Sequence, residues 1–162
     1  MKVLAATACA PHVVPHGGRR GLHGTNPISY ALPRSDDDPI VFDFSTGYSS
    51  GKLKDQATAT GRLPENRALD AAGEPTTDPA DLKNGWILPV AGHVGFGLAL
   101  LVDGLTAALA DSPIGREIPL VHETDGPYHG SFFCLAIDPV AFGGIEPFSE
   151  RIDSLVHQIE TH

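Results

Sequence analysis

Residues 17–27, which read GGRRGLHGTNP, are the first segment that could bind a ligand. The glycines allow close approach to the backbone, and Thr25 and Asn26 offer short polar groups that donate or accept hydrogen bonds. The same composition is typical of a turn, and spacing alone favours the turn interpretation. A ligand role for this segment is the alternative.

Residues 40–46, which read IVFDFST, place polar side chains at the end of an apolar strand. The carboxylate of Asp43 and the hydroxyls of Ser45 and Thr46 could bind a ribose or free backbone N–H groups. The simpler interpretation is a strand-terminal aspartate that forms an Asx turn, and the residues alone favour it.

Residues 92–98, which read GHVGFGL, lead directly into a long apolar segment. A glycine-rich turn at the start of a helix presents free N–H groups and the positive end of the helix dipole, which suit a phosphate. Such a turn also lets a helix pack closely against its neighbours. The sequence leaves both interpretations open.

The histidines and cysteines do not indicate a metal site or a disulfide. His12 and His16 have the spacing of a helical metal pair, but the adjacent prolines prevent a helix. A second pair, His122 and His129, flanks an acidic loop without metal-ligand spacing, so a solvated loop is the default. The two cysteines lie far apart, and we expect buried, reduced thiols in a cytoplasmic protein.

Composition limits the partners of this chain. Its 162 residues suit one domain, and the formal net charge is −9. That charge disfavours nucleic acid and anionic membranes as partners, although backbone N–H groups can still hold the phosphates of a dinucleotide. The apolar run at the start of the sequence is too short to span a membrane.

Apolar runs bounded by glycine and proline predict the elements that would position these segments. We expect buried strands over 2–8 and 131–137, a strand over 27–33, and a central strand over 40–44. Helices are predicted at 52–60, 95–110 and 147–160, the second apolar on all sides and therefore buried. Residues 61–90 read as a long loop. No GxGxxG opens a helix after the first strand, so the fold class is α/β or α+β and not Rossmann.

Five segments in a fixed order, GTNPI, VFDFSTG, GEPTTDP, LPVAGHVGFGLAL and FFCLAIDP, resemble the malate/L-lactate dehydrogenase family. This family includes ureidoglycolate, sulfolactate and diketogulonate oxidoreductases and is distinct from Rossmann lactate dehydrogenases. The resemblance implies a largely antiparallel mixed sheet flanked by helices, homodimers, and NAD or NADP as cofactor. It also implies small-molecule substrates, either 2-hydroxy and 2-oxo acids or cyclic imino acids.

The resemblance also assigns expected roles to individual residues. Thr25 in GTNP would face the substrate, and the family commonly has lysine where this chain has Val94. The residues expected to bind the cofactor are Ile40, Val41, Phe42, Asp43, Phe44, Ser45, His93 and Val94.

The family's general acid is a histidine in an SHGxxR-like segment, and neither that segment nor the C-terminal Leu-Pro-Gly signature occurs in these 162 residues. The resemblance therefore implies a single cofactor-binding domain over 1–162, truncated at both ends, with no catalytic residue and no turnover as an isolated chain. Two alternatives stay open: a degenerate, non-catalytic module that binds a nucleotide or only dimerises, and an unrelated α+β binding module.

Overall fold

The computed structural model describes residues 2–120 and 128–162 and contains seven strands and three α-helices within them. The strands are β1 (Lys2–Thr7), β2 (Ile28–Leu32), β3 (Ile40–Phe44), β4 (Ala68–Leu69), β5 (Pro75–Thr76), β6 (Trp86–Ile87) and β7 (Phe132–Ile137). The helices are α1 (Ser50–Thr60), α2 (His93–Asp103) and α3 (Ile145–Glu160). The predicted His122 loop falls in the gap, outside the described residues.

The main sheet has four strands in the order β3-β2-β1-β7, and every neighbouring pair is antiparallel. Prolines at 27, 33 and 39 flank β2 and precede β3, where the missing N–H groups do not interrupt the ladder. The antiparallel pairing confirms the prediction of a largely antiparallel, non-Rossmann α/β fold.

Two predictions about this sheet are wrong. The strand over 40–44 is not central: β3 is an edge strand, and Val41 is 64% exposed. The strand predicted to be buried near the C-terminus is β7, the opposite edge, and Phe132 in it is 68% exposed. Apolar composition correctly predicts that a segment forms a strand, but it does not reveal whether other elements of the protein cover both faces of that strand.

Helix α2 packs one side against the sheet, where Leu98 and Val102 contact Ala6 and Ile28. A π-helical segment, Gly104–Ala108, extends it. The helix was predicted correctly. The prediction that it is buried on all sides is wrong, because its outer side is exposed, including Leu100 and Leu101.

The predicted loop over 61–90 contains β4, β5 and β6, which form a small antiparallel sheet, and the 3-10 helix Pro79–Lys83. This sheet packs with α1 around a second apolar core that includes Val13, Leu53 and Ile87. The strands β4, β5 and β6 have two residues each, which is too short for an alternation of apolar residues to predict them.

Helix α3 begins at Ile145, two residues before the predicted start. Arg34 Nε donates to Asp153 Oδ1 at 2.7 Å, which holds the helix near the β2–β3 turn.

Both cysteines are free, but Cys134 is exposed and Cys9 is partly buried, so the prediction of two buried thiols was wrong for Cys134. In the described ranges, no helix has the length and apolar character needed to cross a membrane.

Candidate functional site

The backbone carbonyl of Thr25 joins two of the predicted ligand-binding segments. It accepts hydrogen bonds from the Thr46 N–H at 2.9 Å, from the Thr46 hydroxyl at 3.0 Å and from the Ser45 hydroxyl at 3.0 Å. The antiparallel pairing of β2 with β3 positions these groups, because Ile28 lies opposite Phe44 at the end of the ladder. The structure therefore brings together Thr25 and Ser45, which were predicted from separate motifs.

The turn before α2 joins the same group through Thr46. The Val90 N–H donates to the Thr46 carbonyl at 2.9 Å, and the Gly95 N–H donates to the Val90 carbonyl at 2.9 Å. A Cβ atom at Gly95 would lie 2.3 Å from the Val90 oxygen and 2.4 Å from the Thr46 oxygen. Only glycine allows this approach, which fixes the start of α2 against the end of β3.

The first turn of α2 offers fewer free N–H groups than the sequence indicated. The Val94 N–H donates to Ala91 and the Gly95 N–H donates to Val90. Within the described residues only the His93 N–H of these three lacks an acceptor. The His93 and Val94 side chains are exposed, Val94 at 49%, so both can reach a ligand at this end of the helix.

Along β3 the side chains alternate between the two faces of the sheet. Phe44 belongs to the apolar cluster that packs against α2, and the Phe42 ring contacts the rings of Tyr30 and Phe44. Val41 and Asp43 point to the opposite face. Asp43 is exposed, lies opposite Ser29 in register and lines a shallow cleft of ≈ 210 Å³.

Because β3 is an edge strand, its outer N–H and C=O groups are not used by the sheet. The outward groups belong to Val41 and Asp43. The Pro27 carbonyl accepts the Thr7 N–H, so the alternate residues Ile28, Tyr30 and Leu32 direct their backbone groups to β3, where they face Phe44, Phe42 and Ile40. The Asp43 carboxylate, on the face opposite α2, and the exposed His93, at the start of α2, can each form hydrogen bonds with polar groups such as a ribose or an amide. Among the described residues, no cluster of three or more histidine, cysteine or acidic side chains could hold a metal ion.

A buried polar network behind Thr25 was missed by the sequence analysis. The Asp103 carboxylate accepts a hydrogen bond from His23 Nδ1 at 2.6 Å and one from Asn26 Nδ2 at 2.8 Å. The Asn26 side-chain oxygen in turn accepts the Cys9 N–H at 3.1 Å. The residues His23, Asn26 and Asp103 are each at most 4% exposed, so the network anchors the GTNP turn to α2.

The thiol of Cys9 forms a hydrogen bond with the Thr25 side chain. Burial raises the pKa of Cys9, opposed by hydrogen bonds from the Asn26 backbone and the Thr25 hydroxyl. The Cys9 thiol therefore stays protonated at neutral pH and contributes a polar, uncharged neighbour to Thr25.

Two of the predicted histidines also meet at this end of α2. The rings of His16 and His93 lie 5.9 Å apart in an edge-on arrangement, and both residues are exposed. His16 was considered only as a metal ligand, and no motif in the sequence indicates that it lies beside His93.

Comparison with known proteins identifies the chain's relatives. The family model described as malate/L-lactate dehydrogenase matches residues 1–162. The Delta(1)-pyrroline-2-carboxylate/Delta(1)-piperideine-2-carboxylate reductase of Pseudomonas putida is 40% identical over 99% of this chain and 47% of its own length. The NADP(+)-dependent (2R)-3-sulfolactate dehydrogenase of Chromohalobacter salexigens is 39% identical over 94% of this chain and 46% of its own. The NAD(+)-dependent ureidoglycolate dehydrogenase of Escherichia coli K12 is 32% identical over 92% of this chain and 43% of its own.

Solved structures share the fold. The delta1-piperideine-2-carboxylate reductase of Pseudomonas syringae superposes with a TM-score of 0.85 at 32% identity, over 99% of this chain and 49% of that one. The sulfolactate dehydrogenase of Methanocaldococcus jannaschii gives 0.86 at 32% identity, over 100% of this chain and 47% of that one. The chain thus spans about half the length of the relatives it matches. These relatives are dehydrogenases and reductases, and several of their names specify NAD(+) or NADP(+) as the cofactor. The chain belongs to the malate/L-lactate dehydrogenase family.

Proposed function

We propose that residues 1–162 form the cofactor-binding domain of an NAD- or NADP-dependent oxidoreductase. Its substrates would be 2-hydroxy acids with their 2-oxo counterparts, or cyclic imino acids with their reduced forms. The observation that carries this proposal is the junction at Thr25 and Thr46, which connects the GTNP turn, the end of β3 and the start of α2. The names of the relatives support both substrate classes, since one is a reductase of cyclic imino acids and another is a sulfolactate dehydrogenase.

In this proposal the residues of the edge strand β3 lie along the cofactor. The exposed Asp43 carboxylate accepts hydrogen bonds from ribose hydroxyls, and the free backbone groups of the strand bind other polar atoms of the same molecule. His93 and Val94 border the cofactor from the start of α2. Thr25 faces the substrate, and Ser45 keeps the Thr25 backbone in place through its 3.0 Å hydrogen bond.

The bound cofactor would supply the hydride, and the protein's task is to orient it and exclude competing reactions. The buried His23, Asn26 and Asp103 network makes the Thr25 turn rigid, as a substrate-binding group requires. The proton donor to the substrate is assigned to none of the residues described.

Asp43→Asn tests the cofactor site with little change in shape. We expect it to weaken NADH binding about tenfold or more in a calorimetric titration, because a hydrogen bond to a charged group contributes about 1.5–3 kcal/mol. Asp55→Asn, on the exposed side of α1, is the matched control and should bind as the wild type does. Equal NADH affinity in both variants would remove Asp43 from the site.

We also propose that the protein is a cytoplasmic homodimer. Apolar side chains on the outer side of α2 and on β7 are exposed, among them Leu101 at 52% and Phe132 at 68%. Apolar side chains grouped on a surface often mark an interface. Sedimentation equilibrium tests the proposal, which predicts twice the mass of one chain. A monomer at micromolar concentration would contradict it.

A further inference from the structure

A pocket of ≈ 550 Å³ lies apart from the residues assigned to the cofactor. It is formed where the loop after β1, the end of the 3-10 helix Pro79–Lys83, β6 and the 3-10 helix Gly115–Glu117 meet. Arg20, Lys83, Arg116 and Trp86 line it, and it contains none of the residues from Thr25, β3 or the start of α2. We infer that this pocket binds a phosphorylated small molecule with an aromatic ring, of the nucleotide class.

Three cations line this pocket in a protein whose net charge is −9. In the part of the chain that the structure describes, no carboxylate lines the pocket, and none of the three cations forms an ion pair. Like charges placed together without counter-charges repel each other, so an anion that neutralises them gains binding energy.

Carboxylates that lie near these cations, either in the sequence or through a contact with an adjacent residue, are engaged elsewhere. Glu74 pairs with Arg19, not with Arg20. The Glu117 carboxylate accepts the Ile114 N–H at 3.1 Å, although Glu117 is adjacent to Arg116. Asp81, the acid nearest to Lys83, accepts a hydrogen bond from the Thr76 hydroxyl, so none of these three described acids pairs with a cation of the pocket.

Arg116 is held in place by the backbone. Its Nε donates to the Gly21 carbonyl at 2.8 Å, which leaves the terminal N–H groups of the guanidinium for another acceptor. A planar guanidinium fixed in this way suits the paired oxygens of a phosphate.

Trp86 supplies the apolar wall of the pocket. Its ring lies so close to Gly21 that a Cβ atom there would be 2.6 Å from the ring, which fixes the position of the indole. Its Nε1 is buried and has no hydrogen-bond partner among the described residues. Cations beside an indole wall match a ligand that carries both a phosphate and an aromatic ring, and the volume lies within the usual range of small-molecule sites, about 300–1,000 Å³.

The chain has one tryptophan, so fluorescence excited selectively at tryptophan over the three tyrosines reports on this pocket. The experiment titrates the wild-type chain at low ionic strength with AMP, adenosine and inorganic phosphate, with calorimetry as a second readout. We expect saturable binding of AMP, and affinities at least about tenfold weaker for adenosine and for phosphate, since each lacks one of the two recognised parts.

Arg20→Gln and Arg116→Gln should each weaken AMP binding about threefold to fivefold, the range for exposed ion pairs. Lys54→Gln, an exposed cation on α1, is the matched control and should not change the affinity. The Trp86 signal separates this pocket from the proposed cofactor site, whose residues include no tryptophan. The proposal is overturned if AMP does not change the Trp86 fluorescence saturably, if adenosine binds as tightly as AMP, or if both arginine variants match Lys54→Gln.

Discussion

Alanine at two glycines of α2 should have opposite effects on stability. At Gly95 a Cβ atom would lie 2.3 Å from the Val90 oxygen and 2.4 Å from the Thr46 oxygen, and both are backbone atoms that move only with the turn. At Gly97, two residues along the same helix, a Cβ atom would meet nothing within 4 Å. The chemical change and the helix are the same, so the difference between the variants measures the close approach.

The contacts set the expected magnitudes. Overpacking of this kind costs about 1–3 kcal/mol, so Gly95→Ala should lower the free energy of unfolding by at least that much. Gly97→Ala should raise it by about 0.5–1 kcal/mol, because alanine loses less backbone entropy than glycine on entering a helix.

Urea unfolding followed by circular dichroism measures both effects, provided that the slope of free energy against urea is the same for all variants. Gly95→Ala should also weaken NADH binding, since it moves the end of β3 away from α2. A Gly95→Ala variant as stable as Gly97→Ala would refute the claim that the turn and the end of β3 are locked together.

Three further predictions follow from burial and from the resemblance. Asp103→Ala removes the acceptor of the buried His23 Nδ1 and one of the two acceptors of Asn26 Nδ2, which also donates to the Ala99 carbonyl at 3.3 Å. It should cost roughly 2–6 kcal/mol of stability in urea unfolding. Asp55→Ala should change the stability by less than about 0.5 kcal/mol, and similar values for both variants would contradict the network. Iodoacetamide at pH 8 should modify Cys134 before Cys9, because burial raises the pKa of Cys9 and the thiolate is the reacting form. Mapping of the modified peptides by mass spectrometry would disprove this if it found Cys9 modified first. The 162-residue chain alone should show no measurable turnover of malate, lactate or ureidoglycolate with NAD or NADP. Loss of general acid–base catalysis lowers the rate about a hundredfold or more. Rates near those of a complete relative would refute the prediction.

Local signals in the sequence predicted the elements of the main sheet well. Short apolar runs bounded by proline give β2 and β3 to within one residue, because proline and turn residues end strands for steric reasons. The position of each strand in the sheet was not predicted. Sheet order depends on long-range pairing, and β7 joins β1 from more than a hundred residues away, which no local pattern encodes.

Burial was overestimated for the same reason. Apolar composition shows that a surface gains by being covered, but not which residues cover it. Leu101 and Phe132 are apolar and exposed, and the chain spans only about half the length of its relatives.

The candidate site was predicted from motif order and not from spacing. No local pattern in the sequence connects Thr25 with Ser45, and the structure supplies the connection in the hydrogen bonds to the Thr25 carbonyl. The network around Asp103 could have been suspected, since Asp103 is the only charged residue in the apolar segment 95–110. A lone carboxylate on a buried helix requires a partner, but the identity of His23 as that partner depends on the fold.

The most direct test of the proposed cofactor site is a calorimetric titration of the wild type, Val94→Lys and Leu101→Lys with NADH and NADPH. Val94 and Leu101 are on the same helix and are 49% and 52% exposed, so the two lysines differ mainly in their distance from the start of α2. A cation beside a cofactor phosphate should contribute about 1 kcal/mol, so Val94→Lys should bind about fivefold more tightly and Leu101→Lys should match the wild type. A folded Val94→Lys variant that binds neither cofactor better than Leu101→Lys does would contradict the assignment of this helix start to the cofactor.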